Sequence, residues 1–171
     1  MIKEILFFQS ISEESIRWLI QQIGDEKEVK ILMHCGGGES GCANAFYEYV
    51  QLKKIKLHVH VLNACMSAAV TILCAAQTRT ACPNARFVLH PVRKYLKDES
   101  FGQNVMENIL VDFQHINACY IKLIKATINN PKANINKLCS QETFLTAKEA
   151  WKLGFGERCA LELNAQLSEE R

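Results

Sequence analysis

No apolar run in this chain reaches the length of a membrane span. The longest, "ACMSAAVTILCAA" (Ala64 to Ala76), covers 13 residues and suits a buried helix better, so no membrane partner is expected. The sequence opens on no secretory signal and holds no Cys-x-x-Cys pair, which argues against a disulfide scaffold. Long Lys/Arg runs are also missing. The net charge of +2, from 20 basic and 18 acidic residues, is too small for a nucleic-acid footprint, and no nucleic-acid partner is expected. What is abundant is cysteine, eight in all, mostly within apolar stretches such as "TILCAA" and "HINACY". Such thiols read as reduced core residues of a cytoplasmic protein. With 171 residues, 49% hydrophobic and 22% charged, the chain is long enough for one domain with its own core, without help from a metal or a disulfide.

The hydrophobic periods give alternating elements. "EILFF" reads as a short strand, and Ser12 caps an amphipathic helix carrying Ile16, Leu19, Ile20 and Ile23. "VKILMH" is a strand, followed by three glycines and a helix from about Ser40 to Lys54. "KLHVHVL" alternates as a strand, "MSAAVTILCAAQ" forms a small-residue helix, and "ARFVLH" is another strand. The order β-α-β-α-β-α-β predicts an α/β fold with a mainly parallel sheet, whose strands present their carboxyl ends to the site. After His90 a polar loop, "PVRKYLKDES", leads into one long helical pattern from about Gly102 to Asn130, striped by Val105, Ile109, Phe113, Ile116, Tyr120, Leu123 and Thr127. Roughly 28 residues reach on the order of 40 Å, more than a small sheet can cover, so part of this helix should project. Pro131 stops it, and Thr146 to Glu149 forms a capping-box start for a short terminal helix.

Three places carry candidate chemistry. In "ILMHCGGGES" the apolar run ends in Gly36, Gly37 and Gly38, which bring no packing and cost backbone entropy. Either a tight turn or close approach to a ligand accounts for them. Ser67, in "NACMSAAV", falls at a strand-to-helix turn between small residues, where a hydroxyl is an exposed nucleophile or merely a helix cap. His90 ends "RFVLH" at the same sheet edge, within reach of a general-base role. Cys65 precedes the turn among small apolar residues and reads as a buried thiol. His58 and His60 share one strand face but lack a third ligand at a telling spacing, so no metal site is expected.

Together these pieces resemble the proteolytic subunit of the caseinolytic protease, the ClpP family. The family's I-N-S-P-G-G turn and following helix are similar to "MHCGGGESGCANAFYE", and its G-x-A-A-S-M-G nucleophile turn is similar to "NACMSAA". Its L-P-N-A-R-x-x-x-H-Q-P resembles "CPNARFVLHPV", and its R-D-x-F-L-x-A-x-E-A-x-x-x-G-L resembles "QETFLTAKEAWKLGF". These motifs run in order from about Ile5 to Arg158.

The resemblance implies a ClpP/crotonase-like fold in a single peptidase domain, with a head of about residues 1–90 and 143–171 and a long projecting handle of about 91–142. It implies a serine endopeptidase in which Ser67 attacks, His90 is the general base and Glu142 stands where the family's acid is usually Asp. The amides of Gly38 and Ala68 would form the oxyanion hole, with Gly36 and Gly37 supporting the turn. No cofactor is implied, ATP entering only through a separate AAA+ unfoldase. Substrates would be peptides or unfolded proteins, cut inside a homo-oligomer of heptameric rings forming a tetradecamer. The sequence departs from the family in S-A-A for S-M-G, in C-G-G-G for S-P-G-G, and in the charged, glycine-free "RKYLKDES" where the family is Gly-rich. The first strand begins close to Met1, so the family's pore-lining leading segment is expected to be missing. Two rival readings remain: a catalytically silent ClpP-like scaffold subunit, and a crotonase-type acyl-CoA enzyme, which has no use for Ser67 and His90 together.

Overall fold

The computed structural model describes residues 1–93, 102–128 and 130–156. Most of "RKYLKDES" and the segment from residue 157 onward, including Arg158 and the end of the expected head, lie outside the described residues.

Strand β1 (Lys3–Phe7) pairs in parallel with β2 (Glu28–Cys35), which pairs in parallel with β3 (Lys56–Met66). Helix α1 (Glu13–Ile23) connects the first two strands and α2 (Ser40–Lys53) the next two. Ser12 caps α1 as its sequence predicts, accepting from the Ser15 amide while the Ser15 hydroxyl accepts from the Ser12 amide. Alternate side chains of the strands, Ile5 and Phe7, Val29, Ile31 and Met33, Leu57, Val59 and Val61, are buried in one core with the apolar stripe of α1. The residues between them, such as Leu6, Leu32, His34 and His60, face outward and remain partly accessible. A parallel sheet is ordinarily covered on both faces, whereas among the described residues the outward face of this one is only partly covered.

β3 is longer than the alternation "KLHVHVL" predicts, because it serves two partners. Its residues His58 to Val61 pair with β4 (Thr78–Ala81), and Ala64 to Met66 pair with β5 (Arg86–Leu89). The helix between β3 and β4, α3 (Ala69–Cys74), is correspondingly shorter than "MSAAVTILCAAQ" and starts three residues later. β5 is then flanked by an antiparallel strand, β6 (Thr143–Thr146), which has no counterpart in the elements read from sequence.

The long helical pattern forms α4 (Gln103–Thr127), 25 residues and about 37 Å long. Only Tyr120 and Ile124 of α4 are buried, whereas Val105, Met106, Leu110 and Val111 are exposed, so the first half of the helix stands clear of the core. Tyr120, on the apolar stripe of the long helix, packs inside its own subunit. A short helix, α5 (Ile135–Ser140), precedes β6, and the Thr146–Glu149 capping box opens α6 (Ala147–Leu153). No helix among the described residues is long and apolar enough to cross a membrane.

Candidate active site

Met66 pairs with Val88, and the Ser67 amide donates to the Val88 carbonyl at 2.9 Å, so the ends of β3 and β5 are clamped side by side. Ser67 follows one strand and His90 the other, which delivers both to the same edge. Ser67 adopts φ 55°, a left-handed conformation that is costly for a residue with a Cβ. Its hydroxyl caps nothing: the N-cap position of α3 belongs to Ala68, with no side-chain cap bond. The helix-cap reading of Ser67 is therefore set aside.

The glycines explain themselves one by one. Gly37 has φ 104°, and a Cβ there would sit 2.7 Å from the Ser67 Cβ. Gly38 has φ 143°, and a Cβ there would overlap the Ile11 carbonyl oxygen. The close approach is fixed by a backbone bridge, Ile11 N–H donating to the Gly37 carbonyl at 2.8 Å and Glu39 N–H to the Ile11 carbonyl at 2.9 Å. At Gly36 a Cβ would meet no obstruction. Gly38→Ala should therefore destabilise the fold by roughly 1–3 kcal/mol or more, read as a lowered urea midpoint. Gly36→Ala should leave it unchanged.

The Gly37 amide is used, donating to Cys35 Sγ at 3.4 Å. Among the described residues, neither the Gly38 amide nor the Ala68 amide donates a hydrogen bond within the chain. Both residues line a cleft of about 210 Å³ together with Gly36, Ser40, Ser67, His90, Val92, Arg93 and Tyr120. The cleft thus gathers a free hydroxyl, an imidazole and two unspent backbone donors.

His90 Nδ1 lies 2.6 Å from the Pro91 carbonyl. A carbonyl can only accept, so Nδ1 carries a hydrogen and Nε2 is the nitrogen left to act as base. Glu142 precedes β6 and His90 follows β5, so the two flank Leu89–Thr143, the last pair of the antiparallel ladder. The backbone brings acid and imidazole together, but the side chains part. Glu142 Oε2 accepts from Arg93 at 2.5 Å, and Glu142 itself has φ 53°.

A sequence profile of the Clp protease family matches residues 5–160, most of the chain. The chain belongs to the Clp protease family. A curated relative, the ATP-dependent Clp protease proteolytic subunit of Chaetosphaeridium globosum, is 24% identical over 160 residues, covering 91% of this chain and 78% of that protein. The mainly parallel sheet with its long projecting α4 is the fold expected of a Clp family member.

Three contributors to this Clp family site went unread in the sequence. Arg93 binds Glu142 from within a segment that reads only as a polar loop. Asn117 Oδ1 accepts from the Val92 amide at 3.3 Å, and Tyr120 donates to the Ser67 carbonyl at 3.4 Å, so α4 braces both halves of the cleft one turn apart. Cys65 is fully buried, and burial pushes its thiol well above the ordinary range, which leaves no thiolate to compete with Ser67. His58 is bound to Glu28 at 2.9 Å, and His60 lies between Thr80 Oγ1 at 2.8 Å and Cys82 Sγ at 3.4 Å.

Proposed function

We propose that this Clp family chain is a serine endopeptidase that cuts peptides or unfolded proteins inside an oligomeric chamber. The observation that carries the reading is the meeting in one cleft of the Ser67 hydroxyl, His90 and the two unspent amides of Gly38 and Ala68. Ser67 Oγ attacks the scissile carbonyl as His90 Nε2 takes its proton, forming a tetrahedral intermediate whose oxyanion is received by the Gly38 and Ala68 amides. His90 returns the proton to the leaving amine, and the acyl-enzyme is then hydrolysed by water activated in the same way. Glu142 orients His90 and stabilises the imidazolium. Each preorganised amide contributes about 3–4 kcal/mol to such a transition state, which is why the shape of the glycine turn matters as much as the triad. The chemistry needs no cofactor, with ATP consumed by a separate AAA+ unfoldase.

Assembly is the second half of the proposal: a homo-oligomer built of heptameric rings stacked into a tetradecamer, working in the cytoplasm. Val105, Leu110 and Val111 on α4, and Leu6 and Phe8 at the outward sheet face, supply apolar surface that a monomer would leave in water. Val111→Glu should split the particle into smaller rings, read as a drop in mass by light scattering, because a ring contact would bury an unpaired charge. An unchanged mass would remove α4 from the contact.

The silent-scaffold reading draws on one observation, the engagement of Glu142 by Arg93. Hydrolysis of a short fluorogenic peptide separates the two. Turnover that survives a metal chelator and stops with a serine-directed fluorophosphonate is expected; an assembled particle without turnover would favour the scaffold.

A further inference from the structure

We propose that Arg93 is a positioning residue that withholds Glu142 from His90, so that only a minor fraction of subunits holds a complete Ser-His-acid arrangement at any moment. The inference rests on the peptidase reading above. Its basis is a mismatch between backbone and side chains. His90 and Glu142 flank the last β5–β6 pair, Leu89–Thr143, yet the carboxylate is bound to Arg93 at 2.5 Å and His90 Nδ1 is bound to the Pro91 carbonyl at 2.6 Å. In the active arrangement Glu142 leaves the guanidinium, His90 Nδ1–H leaves the carbonyl, and the two meet. No proton has to change owner, because Nδ1 already carries the hydrogen that Glu142 would accept.

The energetics favour a partial hold. Arg93 and Glu142 are about half exposed, at 51% and 40%, and exposed ion pairs are weak. The guanidinium therefore holds the carboxylate only a few times more often than His90 does. The observed rate is the intrinsic rate multiplied by the fraction of subunits in which His90 has won. Arg93 also lines the cleft, so whatever occupies the cleft bears directly on the competition.

The test is a double-mutant cycle on the assembled full-length protein, read by peptide turnover, with fluorophosphonate labelling of Ser67 run in parallel on every variant. Arg93→Gln should raise kcat about three- to fivefold, the range an exposed ion pair allows, with KM changing less than twofold. The gain should vanish in the Glu142→Gln background, and Arg93→Lys, which keeps the charge, should stay near the wild-type rate. Salt between about 0.1 and 1 M shortens the screening length from about 10 to 3 Å, and should activate the wild type but not Arg93→Gln. An unchanged or lowered kcat in Arg93→Gln, or the same gain in both backgrounds, would overturn the role of Arg93. If Ser67 is still labelled in that case, the peptidase reading stands. Absence of labelling and turnover in every variant would overturn both together.

Discussion

Ser67→Ala should abolish peptide hydrolysis, by roughly four to six orders of magnitude in kcat, while leaving the fold and the particle as they are. The loss is near total because the hydroxyl is the only group at the turn that can form the acyl-enzyme. Cys65, two residues earlier, is buried and has its thiol pushed up by burial. The fold should survive because Ser67 Oγ makes no hydrogen bond among the described residues and caps no helix. Its structural bonds are all main-chain: the amide donates to Val88, and the carbonyl accepts from Val70 and Tyr120. Alanine carries the same Cβ as serine into φ 55°, so the backbone strain is also retained. Thermal denaturation and light scattering should match the wild type, with turnover at background. Residual turnover above one percent would remove Ser67 from the role of nucleophile.

Glu142→Gln should lower turnover by about two to four orders of magnitude, again without unfolding the subunit. An amide can occupy the space of the carboxylate but cannot balance the charge of the imidazolium, and it can present the wrong end to Nδ1. The position tolerates the change structurally because the side chain is part exposed and its partner, Arg93, stays solvated when released. Glu142 and Ser67 are two of the three residues other than glycine with positive φ among the described residues, the third being Lys54 at the end of α2. Strain of this kind costs about 1–3 kcal/mol and tends to be retained where geometry is functional. A rate within threefold of wild type in Glu142→Gln would reduce the site to Ser67 and His90.

How much of this was legible in the sequence depended on whether a residue's role is set locally or by a distant partner. Ser12 and Thr146 cap their helices as their neighbours dictate, and α2 and α4 fall within three residues of their periodic patterns. β4 ("TRTA") and β6 ("TFLT") were missed because they are short and lack the apolar run that marks β5 ("RFVL"). β6 exists by virtue of the edge that β5 offers it. The extension of β3 to Met66 has the same cause: "NAC" has little strand character until β5 pairs with it. At the site, the small residues around Ser67 and the glycine triplet pointed to a tight, open turn. That Gly37 must be glycine because Ser67 packs on it, and Gly38 because Ile11 crosses it, depends on contacts about 30 residues apart in sequence. Arg93 was illegible for a related reason: its partner lies 49 residues away, and nothing in a charged loop marks which carboxylate it will meet.

The central claim is that the turn after β3 presents an activated serine. Peptide mapping of the assembled protein after reaction with a serine-directed fluorophosphonate tests it most directly. One adduct per subunit is expected, on Ser67 alone, and it should disappear in His90→Ala because the hydroxyl then lacks its base. An adduct on another residue, or an unmodified Ser67 in a fully assembled particle, would contradict it.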